Sequence, residues 1–222
     1  LVLGPDVDLA AVAAKTPGFA GADLANIVNE AALHAARENK HSVDMVDFDA
    51  SIDRAIAGLE KKNRVMNPKE KETVAYHEAG HALLAEMRAT TDKVSRVSII
   101  PRGIGALGFT QQLPTEDRYL LKQSELLDRL DVLLGGRVAE QLTFGEVSTG
   151  AQDDLQRATD LVRHMITRYG MTDAFGPGVL EPRSGSGFLG ETSLQVRREF
   201  SEDTARRIDA EIRRLLREAD AR

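Results

Sequence analysis

Apolar positions recur at helical spacing along most of this chain. Leu24, Ile27, Val28, Ala31 and Ala32 fall on one face of a helix predicted over 21–39. A short alanine-rich helix precedes it at 8–15, and Thr16-Pro17-Gly18-Phe19 reads as the turn between them. Ser42 or Asp44 caps a further helix that runs to Ile56. Downstream, Leu126, Leu127, Leu130 and Leu134 mark the core face of a mostly helical stretch over 115–142. Leu155, Ala158, Leu161, Val162 and Met165 do the same over 152–169, and Ile208, Ile212, Leu215 and Leu216 over a charge-dense helix at 200–217. The pattern shifts toward a strand at 93–101, through Val94, Val97 and Ile99 with Ile100 adjoining. A second short strand follows at 107–113, with Gly103 and Gly105 between the two. Residues 144–150 read as a loop, and the glycine- and serine-rich 171–193 is expected to be mobile. The chain is thus predicted to be mainly α: a small all-helical unit over 1–60, then a mostly helical domain over 61–222 with a small β-sheet. The polar, charged stretch 61–71 links them.

One further helix changes the picture from architecture to chemistry. Asn67 is placed to cap it, Pro68 suits its first position, and Glu70 falls at the capping-box position. Val74, Ala75, Ala79, Ala82, Leu83 and Leu84 predict that it is apolar and buried. Inside it stands His77-Glu78-Ala79-Gly80-His81, an HExxH. Residues four apart share one helix face, so His77 and His81 can grip one metal ion together. Glu78 lies beside that face, where a carboxylate can take a proton from a water held by the metal. Satisfied core histidines are the alternative. It is disfavoured because two neutral imidazoles in a buried helix need partners for their ring nitrogens, and a metal supplies one to each.

Composition narrows the class. The 222 residues are 42% apolar with a net charge of −6, and that acidic balance argues against a nucleic-acid or anionic-membrane surface. With no cysteine there is neither a disulfide framework nor a thiolate zinc site. No apolar run approaches the roughly 20 residues that span a membrane. The chain opens on Leu1 rather than Met, as expected of a segment of a longer protein.

A catalytic zinc site wants a third protein ligand and an open position. The metzincin extension would need Gly and His where this chain has Leu84 and Met87. Glu86 stands only five residues past His81, off the metal face, and reads as a solvated charge. His164 reads as a core or surface residue. Glu140, Asp153 and Asp154 remain as downstream candidates. Asp154 sits in the first turn of its predicted helix, where the helix dipole favours a carboxylate. Glu140 is equally suited to orienting a ligating histidine by accepting a hydrogen bond from its outer N–H.

HEAGHALL, SIIPRG (98–103), LGFTQQLP (107–114), LLGGRVAEQ (133–141) and STGAQDDLQRAT (148–159) occur in that order. Together they resemble the peptidase domain of the FtsH family, membrane-anchored AAA zinc proteases, and the likeness extends from about Thr16 to about Leu216. The resemblance implies Asp154 as the third zinc ligand, with His77 and His81, and Glu78 as the catalytic acid–base. Asp153, where the family often has Asn, is then a capping or solvated residue, and Glu140 is the runner-up ligand.

TPGFAGADLANIVNEAAL (16–33) resembles the helical lid of AAA ATPases, which implies that Gly21 and Ala22 touch ATP. From the residues alone an ordinary glycine turn is the better reading there. No GxxxxGK[ST] phosphate loop exists in the chain, so it should not hydrolyse ATP alone, and the resemblance places the ATPase core and membrane helices upstream and more chain downstream. It further implies Zn2+ as the cofactor, polypeptide substrates, a homo-hexamer, and a place on the cytoplasmic side of the inner membrane or the equivalent side of an organelle membrane. The free edge of the predicted sheet could hold an extended substrate by strand addition, which makes Gly108, Phe109 and Thr110 candidate substrate residues; a merely structural hairpin is the alternative. Two other classes stay open: a non-catalytic module with a decayed HExxH, and a hydrolase of small peptides that needs no ATPase.

Overall fold

Seven helices and one pair of strands make up the described residues of the computed structural model, which are 1–58, 66–101, 107–113, 120–181 and 200–222. The helices are α1 (Leu9–Ala14), α2 (Gly21–Arg37), α3 (Met45–Ala57), α4 (Pro68–Met87), α5 (Gln123–Phe144), α6 (Gln152–Thr167) and α7 (Glu202–Ala221); the strands are β1 (Lys93–Ser98) and β2 (Phe109–Leu113). A mainly α chain with a small sheet is what the periodicity predicts. The contacts divide into two units, one of residues 1–78 with β1 and β2, the other of residues 79–91 with α5, α6 and α7. The division falls inside α4, which runs unbroken through it.

In the first unit α1, α2 and α3 close around Val12, Ile27, Ala31, Ala35, Val43, Phe48 and Ile52. Full burial of side chains the size of Phe48 and Ile27 contributes roughly 1.5–3 kcal/mol each. Local chemistry sets the starts of these helices. Asp8 caps α1 by accepting from the amides of Ala10 and Ala11. Asp23 folds back onto the amide of Ala20 at 2.9 Å, and Asp47 onto that of Asp44 at 2.9 Å. Strands β1 and β2 pair antiparallel, with Val97 opposite Thr110 and Ser98 opposite Phe109, and an irregularity lies between Val94 and Arg96. Arg96 of β1 reaches the buried Asp53 of α3 and forms an ion pair with it.

In the second unit α5, α6 and α7 each pack against the other two. Leu130 and Leu134 of α5, Ala158, Val162 and Ile166 of α6, and Ile208, Ile212, Leu215 and Ala219 of α7 form its core. Its portion of α4 meets α5 at two glycines. A Cβ on Gly80 would collide with the Gly135 carbonyl and stand 2.7 Å from Ala139 Cβ, and a Cβ on Gly135 would stand 2.8 Å from the Gly80 carbonyl. Only glycine at both positions lets the backbones approach this closely. The buried Asp131 carboxylate accepts from Arg88 at 2.8 Å and from Arg222 at 2.7 Å, which ties α5 to the end of α4 and to the last residue.

Two expectations are corrected. α4 is not buried all round. Its buried face is Val74, His77, Glu78, His81 and Ala85, whereas Leu83 is 61% and Met87 70% exposed, with Tyr76 on the same outer face. Nor is 171–181 unrestrained. The Leu180 amide donates to the Thr167 carbonyl at 2.7 Å, and Phe175 and Leu180 pack against the α5–α6–α7 core. The remainder of the stretch expected to be mobile, 182–193, lies outside the described residues, as do residues 61–65 of the linker, Gly103 and Gly105.

Candidate metal centre

The site starts from one cap and one helical turn. Asn67 accepts from the Lys69 amide at 3.1 Å, Pro68 opens α4, and the helix then carries His77, Glu78 and His81 inward. His81 Nδ1 lies 2.7 Å from the Val132 carbonyl of α5. A carbonyl only accepts, so Nδ1 is the protonated nitrogen, and in the neutral ring Nε2 carries the lone pair. That lone pair faces Asp154: His81 Nε2 and Asp154 Oδ2 are 3.4 Å apart.

His77 stands one turn before His81 on the same unbroken helix. One ligand atom from each of His77, His81 and Asp154 lies within 4.8 Å of the other two. The donor set fits zinc. Two ligand atoms about 2.1 Å from a tetrahedral zinc stand about 3.4 Å apart, which matches the His81–Asp154 separation. Two nitrogens and one carboxylate oxygen are a common hydrolase set that leaves one position open.

Asp154 reaches this place because α6 starts where it does. The Ser148 hydroxyl accepts from the Gly150 amide at 3.1 Å and opens a short 3-10 turn, Thr149–Ala151, which leads directly into α6. Asp153, one residue earlier, points away: its side chain is 74% exposed and pairs with Arg157 at 2.9 Å. Glu140 is not among the three gathered residues. Buried in α5, it accepts from the Ser148 amide at 2.5 Å and from the Ser148 hydroxyl at 3.1 Å, so it holds the turn that leads to Asp154. His164 sits near the far end of α6, edge-on to Tyr169.

Glu78 is bounded by strand β2. The Thr110 hydroxyl donates to Glu78 Oε2 at 2.7 Å, and Gly108 lies so close that an added Cβ would stand 2.8 Å from Oε1. Phe109 alternates with these two and pairs with Ser98. Gly21 and Ala22 open α2 and are exposed, and among the described residues nothing lies within 4 Å of a Cβ built on Gly21. Three features of the site escape sequence reasoning: the Val132 carbonyl, the grip of Ser148 on Glu140, and the contact of Thr110 with Glu78. A backbone carbonyl has no residue signature, so the first leaves no signal at all. Only the spacing of Glu140 from Ser148 hints at the second.

An HExxH helix whose third donor is a distant aspartate defines a zinc-dependent peptidase. Comparison with known sequences agrees. The chain belongs to peptidase family M41, whose profile matches residues 64–222, and the profile of the AAA+ lid domain matches residues 6–50. It is similar to the ATP-dependent zinc metalloprotease FtsH of Ralstonia pickettii (strain 12J), 66% identical over 223 residues that cover 100% of this chain and 31% of the relative. The corresponding protein of Burkholderia pseudomallei (strain 1710b) is 61% identical over 99% of this chain and 33% of its own length, and that of Syntrophobacter fumaroxidans 61% over 98% and 34%. The chain therefore spans about a third of the length of these relatives. Among the described residues no helix is long and apolar enough to cross a membrane.

Proposed function

We propose that this chain is the lid and peptidase portion of an ATP-dependent, membrane-associated zinc metalloprotease that degrades unfolded or membrane proteins. Residues 1–60 form the lid and 61–222 the peptidase domain. His77, His81 and Asp154 hold the zinc. A zinc ion there supplies Lewis acidity and lowers the pKa of a water toward about 7. Glu78 takes the proton of the attacking water and delivers it to the departing amine. The Val132 carbonyl keeps His81 in the tautomer that offers Nε2. In the complete protein Gly21 and Ala22 lie against ATP, six copies form a ring, and this region faces the cytoplasm. The backbone edge that carries Gly108, Phe109 and Thr110 holds an extended substrate by strand addition.

The observation that carries this reading is the gathering of Asp154 with the two HExxH histidines, two of its ligand atoms at the spacing of a tetrahedral zinc. Elemental analysis of purified wild type, Asp154→Ala and Glu140→Ala tests it. Wild type is expected to hold one zinc per chain and Asp154→Ala to lose it, while Glu140→Ala retains metal with weakened affinity. Glu78→Gln is expected to keep zinc and lose cleavage of casein. A Gln variant as active as wild type would remove Glu78 from the mechanism, and a wild type without zinc would remove the reading itself.

A further inference from the structure

Strand β2 lies where its side chains bear on the general base. Thr110 of β2 and Gly108, the residue just before the strand, lie on one shared side. The shared side is occupied by Glu78. The Thr110 hydroxyl donates to Glu78 Oε2 at 2.7 Å and lies 3.2 Å from the Glu78 carbonyl. Having one proton, it serves one acceptor at a time, and the carboxylate oxygen is the nearer. Two residues away, a Cβ on Gly108 would stand 2.8 Å from Oε1, 2.9 Å from Cγ and 2.8 Å from the Ser98 carbonyl. The strand thus grips one carboxylate oxygen and makes room for the other. Glu78 is buried, and a long side chain with three rotatable bonds does not hold one orientation without such contacts.

The backbone of Thr110 is fixed as well. It pairs with Val97, and β1 is anchored one residue earlier by the ion pair of Arg96 with Asp53. The hydroxyl is therefore presented from a strand held on its other side, as a positioning group must be. We infer that Thr110 is a positioning residue for Glu78: its hydroxyl orients the base for proton transfer, and Gly108 is glycine because that orientation needs the space of a side chain. This differs from a substrate-contact role for the two residues, and it rests on Glu78 being the base.

Threonine, valine and serine at 110 separate the possibilities. Valine keeps the shape and β preference of threonine but lacks the donor; serine keeps the donor. Using the zinc-loaded chain and a quenched fluorescent peptide, Thr110→Val is expected to lower kcat roughly 10- to 100-fold, the usual range for removing an outer partner of a catalytic group. KM should stay within about twofold, and zinc content should remain one per chain. Thr110→Ser should return kcat to within a few-fold of wild type. A crystal structure of Thr110→Val should show the Glu78 carboxylate displaced from its wild-type position. Should the valine variant fail to fold, Thr110→Ala carries the same expectations. A raised KM at unchanged kcat would assign Thr110 to the substrate and overturn the inference, as would an unchanged kcat or failure of serine to rescue. Glu78→Gln, measured alongside, distinguishes the two levels: if it retains full turnover the base assignment has failed, whereas an inactive Gln variant beside a fully active Thr110→Val defeats this inference alone.

Discussion

Two polar clusters in this chain are built on opposite logic. In the first unit, Asp47 is fully buried and surrounded by donors: His34 Nδ1 at 2.7 Å, Lys40 Nζ at 3.0 Å and the Asp44 amide at 2.9 Å. Burial pushes its carboxyl up, but the Asp44 amide, His34 and Lys40 outweigh that and hold it below the ordinary carboxylate range. In the other cluster, His77, His81 and Asp154 bring together atoms whose common property is a lone pair. In the neutral ring the outer nitrogen of His81 donates to Val132, and the inner nitrogen offers a lone pair beside Asp154. Donors around an acceptor make a self-sufficient network, which contributes stability. Acceptors around a point make a site for a cation, which contributes function.

The comparison predicts that the second cluster fails wholly when one member is lost. His81→Ala should abolish stoichiometric zinc and lower peptide cleavage by roughly 1000-fold or more, as should stripping the wild type with a chelator. Retained zinc in His81→Ala by elemental analysis would break the comparison.

A smaller effect tests what holds the second cluster in place. Gly80→Ala forces a methyl group against the Gly135 carbonyl and Ala139. It should destabilise the chain by about 1–3 kcal/mol in denaturant unfolding. It should also weaken zinc affinity, because α5 carries the carbonyl that orients His81. A variant with unchanged midpoint and affinity would show that the glycine contact does not matter.

The smallest and most selective effect belongs to the first cluster. Asp47→Asn should lower stability at neutral pH by about 2 kcal/mol and leave zinc content unchanged. The pH dependence follows from the sign of the shift. A carboxyl held below its unfolded value contributes stability above the ordinary carboxylate range and loses it as pH falls through the folded value. Wild type and Asp47→Asn should therefore differ fully at pH 7 and converge below about pH 4. Urea melts across that range check it, and a constant gap would sink the assignment.

Helix α4 shows how far a sequence can be read. Its start at Asn67-Pro68 and the one-turn spacing of His77 and His81 are local, set by a cap, a fixed φ and 3.6 residues per turn, and they are legible in the residues. Which face it buries is not. Ala79 and Leu83 suggest an apolar interior, yet the buried stripe carries His77, Glu78 and His81, while Tyr76, Leu83 and Met87 face outward. Burial depends on which neighbours arrive, and the neighbours here are Gly135, which reaches Gly80, and Thr110, which reaches Glu78.

By itself, then, the sequence determined the helices, the strand pair, the HExxH grip and, through its likeness to a family, the aspartate to expect. Those signals are periodicities, caps and ordered motifs, all carried along the chain. Tertiary structure alone gathers Asp154, and neither Glu140 nor Asp153, with the two histidines. It turned Glu140 to Ser148 and Asp153 to Arg157, and brought Asp154, 73 residues from His81 in the chain, to 3.4 Å from it. It also supplied the Val132 carbonyl and the Thr110 hydroxyl. A metal site is a statement about distances between remote residues, and only packing, through glycines that let helices touch and a turn that starts α6 in the right place, sets such distances.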